Sequence, residues 1–157
     1  MEATSYVDAR LRELGIDLPV PPPPVGAYVA ARRSGNLLFI SGQIPVAEGK
    51  PQFQGKVGSD LTVEEGKEAA RLSAINALAQ IRKALGGWDR FEGFVRVSGY
   101  IASGEGFTGQ AQVMDGASEL FVQVFGEDGN HARLAMGVSE LPLGVPVELE
   151  VIAEVSP

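Results

Sequence analysis

Apolar residues recur along this chain with two different periods. Between residues 62 and 86, Ala70, Ala74, Ala77, Leu78, Ile81 and Leu85 return at helical intervals with charged residues between them, so the segment predicts a helix with one apolar face. Thr62 with Glu65 three residues on is a capping box, and Gly86 is placed to close the far end. A second helical stripe runs through Val113, Ala117, Leu120, Phe121 and Val124 and stops before Gly126. A short third helix is expected over 5–14: Val7, Leu11 and Leu14 share a face, Ser5 and Asp8 have roughly the capping-box spacing, and Gly15 ends it.

Elsewhere the period is two. Residues 27–46 read as a hairpin around Ser34-Gly35-Asn36, with Ser41-Gly42-Gln43 closing the second run. Residues 91–103 predict a strand with Phe94, Arg96, Ser98 and Tyr100 on one side and Val95, Val97, Gly99 and Ile101 on the other. The last two strands are expected over 133–139 and 145–154, where Glu148 and Glu150 share a face. Residues 49–60 and the stretch bearing Gly104, Gly106 and Gly109 read as loops. The order helix, ββ, α, β, α, ββ predicts an α+β domain, one mixed sheet covered on one face by two helices.

The run LPVPPPPVG (18–26) has four consecutive prolines, Pro21 to Pro24, with fixed φ and no amide hydrogens. It is a stiff connector, either a rigid arm laid over the body or a ligand for a proline-binding domain. It divides the chain into an N-terminal helix and arm, residues 1–24, and a main domain, residues 25–157.

Composition narrows the function classes. A chain of 157 residues, 45% hydrophobic and 21% charged, is long enough for one domain with its own core. Net charge is −7 and the basic residues are scattered, which argues against nucleic-acid binding. The absence of cysteine removes disulfides, thiol catalysis and zinc–cysteine sites. No apolar run is long enough to span a membrane, and no signal-peptide pattern is visible over residues 1–15; a cytoplasmic protein is expected.

Catalytic options are few. The single histidine, His131, has neither a nucleophile-elbow serine nor a metal-ligand partner at a useful spacing, and no phosphate-binding glycine motif is present. Arg133, set among Ala132, Leu134, Ala135 and Met136, either pairs with a neighbouring acid or offers its planar fork to a ligand carboxylate. Glu148 is either a solvated strand residue or an acid that holds a water. Tyr28 is either a strand aromatic or a hydrogen-bond donor at the lip of a pocket.

The stretches GAYVAARRSGNLLFISGQIPV (26–46) and HARLAMGVSELPLGVPVELEVIAEV (131–155), with ALGGWDRF and GFVRVSGYIAS between them, resemble the Rid family of YjgF-like proteins, best known for RidA-type reactive intermediate deaminases. The resemblance covers roughly residues 25–155. It implies a chorismate-mutase-like β-β-α-β-α-β-β fold, with the first helix as an extension, and a homotrimer with clefts between subunits. It implies hydrolysis of 2-imino acids to 2-oxo acids and ammonia without metal or cofactor. Carried over by position, Arg133 looks like the carboxylate clamp and Glu148 like the acid that orients water. Gly42 and Ala135 would lend backbone carbonyls to that water, and Tyr28 and Ser41 match positions near the cleft. The chain departs from the family where Asn130-His131-Ala132-Arg133 replaces an aromatic-proline-alanine-arginine run, so His131 is either a new cleft residue or a packing change. Asp115 or Gly116 falls near the family's helix-start asparagine, and an acid there disfavours an anionic substrate. Two other readings stand beside the hydrolase. One is a non-catalytic protein that binds a keto acid in the same cleft, for which Glu148 is dispensable. The other is RNA cleavage, which the acidic balance disfavours.

Overall fold

The computed structural model describes residues 3–157, with side chains from Tyr6 onward. Helix α1 (Ala3–Glu13) leads into the extended proline arm. Strands β1 (Ala31–Ser34) and β2 (Leu37–Gln43) form a hairpin, followed by a small ribbon of β3 (Val46–Ala47) and β4 (Lys50–Pro51). Then come α2 (Val63–Leu85), β5 (Phe91–Ala102), α3 (Gln110–Phe125), β6 (Ala132–Val138) and β7 (Val147–Val155). Five strands make one sheet in the order β1-β2-β7-β5-β6. Only β5 and β6 run parallel, and α3 is the crossover between them. This is the expected α+β architecture, a mixed sheet with α2 and α3 on one face.

Local chemistry accounts for the helices. The Thr62–Glu65 capping box forms in both directions, and Gly86 caps α2 with φ 71°. Every residue of the expected α2 stripe is buried. Gly116 of α3 lies against the backbone carbonyl of Lys67, where any Cβ would overlap it, so α2 and α3 approach backbone to backbone.

Three features differ from the sequence pattern. A bulge between Phe94 and Arg96 shifts the register of β5 on β7, so Phe94 turns inward to stack on Phe121 while Val95 faces outward. Strict alternation puts Phe94 with Arg96; the extra residue of the bulge reverses it. The segment 49–60 is not all loop, since Lys50 and Pro51 pair with Ala47 and Val46. Within it, Val57 is fully buried, donating its N–H to the Ala102 carbonyl and accepting from Gly104 N–H. Third, the helix already runs from Ala3, and the Ser5 side chain of the expected cap lies outside the described residues.

Helix α1 folds back onto the helical layer. Val7, Leu11 and Ile16 join the core. Arg10 Nε donates to the Gln123 carbonyl of α3 at 2.8 Å, and Asp8 accepts from Trp88 Nε1 at 3.3 Å. The open sheet face is left free of α1, with Leu37, Phe39, Val95, Leu134 and Met136 exposed. Among the described residues no helix is long and apolar enough to cross a membrane.

Candidate functional site

The chemically capable residues fall into two groups on opposite sides of the sheet. Strand β6 is an edge strand. Its register puts Arg133 beside Val97 and Ala135 beside Gly99, so both point to the helix side. His131, one alternation earlier, faces the same way and packs edge-on against Phe94 and Phe121.

Helix α3 meets this edge with Asp115 and Ser118, one helical turn apart. Arg133 Nη1 donates to Asp115 Oδ1 at 2.8 Å and to Ser118 Oγ at 3.2 Å. Ser118 Oγ lies 2.8 Å from His131 Nε2, and His131 Nδ1 lies 2.6 Å from the Gly129 carbonyl. A carbonyl only accepts, so Nδ1 carries the hydrogen, and in the neutral ring Nε2 accepts from the Ser118 hydroxyl. The result is a directed chain from Arg133 through Ser118 to His131. Both arginine bonds leave from Nη1. Nε and Nη2 have no protein partner among the described residues, and an arginine uses this edge when it makes two parallel bonds to a carboxylate.

Burial holds His131 below the ordinary histidine pKa, and the Arg133 charge lowers it further, against the opposing bond to Gly129. The unfolded ring titrates near 6.5, so below about that pH the unfolded chain binds the extra proton more readily. The His131 contribution to stability is therefore fully present at neutral pH and declines as pH falls through 6.5. Denaturant midpoints at pH 7.5 and 5.5 should show this decline, with a smaller pH dependence in His131→Asn. An unchanged dependence in that variant would remove His131 as its source.

The second group lies on the open face. Glu148 and Glu150 alternate with the buried Val147, Leu149 and Val151 of β7. The Glu148 carboxylate packs over Gly42 of β2, where Oε2 occupies the space of a Cβ. Burial raises the Glu148 pKa, and the Glu150 charge adds to it. Tyr100 donates to Glu150 Oε1 at 3.2 Å, and its own pKa is raised by burial and then by Glu150. Beside them, Tyr28, Ser41, Arg32, Phe39 and Glu150 line a groove of about 550 Å³. The Ser41 hydroxyl is committed to the Val29 carbonyl at 2.7 Å.

Thus the fold gathers Arg133, Asp115, His131 and Ala135 at one place and Glu148, Gly42, Ser41 and Tyr28 at another. Strands β6 and β7 are separated by β5, two strand spacings or about 10 Å, and the two groups face opposite ways. A single chain does not bring Arg133 and Glu148 onto one small ligand. Sequence reasoning missed Ser118, although its position three residues after Asp115 put the two on one helix face.

Comparison with known proteins supplies context. The family described as "YjgF/chorismate mutase-like, putative endoribonuclease" matches residues 8–155. Protein TCP17 of Trypanosoma cruzi is 41% identical over 155 residues, 98% of this chain and 97% of that protein. A RutC family protein of Pyrococcus horikoshii is 32% identical over 132 residues, 84% of this chain and 90% of its own. Among solved structures, protein Atu1372 of Agrobacterium tumefaciens superposes with a TM-score of 0.91 at 40% identity, over 98% of this chain and 94% of that one.

Proposed function

The chain belongs to the YjgF/RutC family of Rid-type proteins, and from that premise we propose that it hydrolyses 2-imino acids to 2-oxo acids and ammonia in clefts between the subunits of a homotrimer. The observation that carries this reading is the guanidinium of Arg133, held from one side by Asp115 and Ser118 with its Nε–Nη2 edge unengaged. That edge binds the substrate carboxylate and orients C2 of the imine.

Glu148 does the second task. A protonated imine is already electrophilic, so the reaction needs a placed water and somewhere to put its proton. The water oxygen bonds to C2 while Glu148 takes its proton and returns it to nitrogen; the new hydroxyl then forms the C=O bond as the C–N bond breaks, and its proton passes through Glu148 to the departing ammonia, which leaves as ammonium. A raised pKa brings Glu148 closer to working pH and makes it a better proton acceptor. The carbonyls of Gly42 and Ala135 are the further acceptors assigned to this water, one from each group.

The separation of the two groups supports a site shared between copies. An edge strand bearing Arg133 on one subunit would meet the face bearing Glu148 on the next. The exposed Leu37, Phe39, Leu134 and Met136 supply apolar surface for that contact. No cofactor enters the scheme. RNA cleavage gains little support from a chain of net charge −7 with dispersed basic residues.

The test is direct. The purified protein is mixed with 2-iminopropanoate and 2-iminobutanoate, generated in place by an amino-acid oxidase, and release of 2-oxo acid is followed. Acceleration over buffer is expected. No acceleration would overturn catalysis on these substrates, and carboxylate titration would then test the binding-protein reading. Gly42→Ala gives a sharper check. Its Cβ strikes the flexible end of Glu148, not backbone, so the fold should absorb it. A displaced carboxylate should cost roughly 10- to 100-fold in kcat with a nearly unchanged denaturation midpoint. An unchanged kcat would remove Glu148 from the reacting centre.

A further inference from the structure

We infer that Asp115 sets the charge selectivity of the Arg133 cleft, so that it takes a net-neutral ligand, a carboxylate joined to a cationic nitrogen, in preference to a simple anion. The inference rests on the proposed carboxylate clamp and goes beyond it to the substrate's ionic form.

A clamp made of arginine alone would be +1 and would favour any carboxylate, product included. Here Asp115 Oδ1 sits 2.8 Å from Arg133 Nη1, so the pair sums to zero. The Arg133 side chain is 26% exposed and that of Asp115 44%, so both remain reachable from solvent at the sheet edge and neither is sealed in the core. Asp115 Oδ2 has no protein partner among the described residues and remains available to a positive group. Ser118 independently holds the same arginine nitrogen, so Asp115 is not needed merely to fix it. The neighbouring ring adds little compensating charge, because burial lowers the His131 pKa and so favours its neutral form.

The reaction changes the ligand's charge in the useful direction. The protonated imine R–C(=NH2+)–COO− is net neutral, and its nitrogen is one carbon away from the carboxylate that Arg133 holds. Hydrolysis adds H2O and gives R–CO–COO− and NH4+; the C–N bond is broken and no oxidant is required. The positive charge leaves with the ammonium. The 2-oxo acid that remains is an anion beside the Asp115 carboxylate, and no cationic nitrogen of its own is left to balance that repulsion. The same pair that accepts the substrate therefore weakens the hold on the product.

The experiment compares two stable probes by calorimetry: 2-oxobutanoate, a simple anion, and 2-aminobutanoate, which is net neutral. Both are titrated into the intact protein, Asp115→Asn and Asp115→Glu. Asparagine keeps an oxygen acceptor for Arg133 and loses the charge. It should tighten 2-oxobutanoate about tenfold and weaken or leave unchanged 2-aminobutanoate, reversing the preference; glutamate should retain the original order. Product inhibition by 2-oxobutanoate in the imine assay should strengthen in Asp115→Asn in parallel. Equal shifts for both probes, or none, would overturn the inference and leave Asp115 a structural partner. Binding of neither probe to any of the three proteins would overturn the carboxylate clamp and this inference together. A reversed preference in a protein that does not hydrolyse imines would support charge selection while sinking the hydrolase reading.

Discussion

Arg133→Ala should lower kcat/KM for 2-iminobutanoate by about 10²- to 10³-fold while leaving the protein folded. Removing one partner of a charge-assisted pair typically costs 2–5 kcal/mol, and every 1.4 kcal/mol is about tenfold. Among the described residues the Nε–Nη2 edge is the guanidinium surface without a protein partner, because Nη1 is committed to Asp115 and Ser118, and the proposed clamp uses that edge. Stability should change by less than about 1 kcal/mol, since the ion pair lost lies at the surface. Arg133→Lys should recover only part of the activity: an ammonium keeps the charge and lacks the planar fork that fixes the carboxylate and hence the direction of attack on C2. Steady-state kinetics of the three proteins, with denaturation curves beside them, decide the matter. A kcat/KM for Arg133→Ala within threefold of the parent would sink the clamp.

How much of this was legible in the sequence depends on the range of the interaction. Helix α2 was legible nearly to the residue, because the Thr62–Glu65 box, the apolar stripe and Gly86 are all local signals. The order of the five sheet strands and the helices followed from period, while the β3–β4 pair within residues 46–51 did not. Phe94 was misplaced because a bulge is fixed by pairing with β7, and the periodicity of β5 by itself does not reveal an inserted residue. Val57 looked like part of a polar loop because its partners, Ala102 and Gly104, are more than forty residues away.

The site divides in the same way. Arg133 and Glu148 stood out as residue types in apolar or alternating settings. Their surroundings did not, because Asp115 and Ser118 arrive from α3 and His131 from the turn before β6. The two open readings of Arg133, ion pair and ligand clamp, are compatible once the geometry is known: Nη1 serves the first and the opposite edge is free for the second. The two readings of His131 also meet. It packs on Phe94 and Phe121, and through Ser118 it reaches the arginine.

Trp88→Ala should be the most destabilising of the changes considered, by about 3–5 kcal/mol, the usual cost of emptying a buried tryptophan site. Trp88 is 2% exposed and sits where three elements and the N-terminal extension converge. Its ring meets Phe91 of β5 and Phe125 of α3 edge-on at 5.8 and 5.4 Å. Its Nε1 donates to Asp8 of α1, which also lies 3.6 Å from Arg82 of α2. Alanine would open a cavity between rigid elements and leave Asp8 with one fewer partner. Asp8→Ala should cost only about 1 kcal/mol, because it deletes the polar link and leaves the aromatic packing intact. Urea unfolding followed by circular dichroism, at one fixed protein concentration, separates the two. A loss below 1.5 kcal/mol in Trp88→Ala would mean that the site collapses freely and that Trp88 does not anchor the helical layer. Limited proteolysis gives a second readout: cleavage in the proline arm should accelerate in Trp88→Ala and change little in Asp8→Ala, where Val7 and Leu11 still hold α1 in the core. Phe121 and His131, further along the same aromatic cluster, connect this region to the Arg133 edge. Trp88→Ala should therefore also lower activity, while Asp8→Ala, acting on α1 alone, should not.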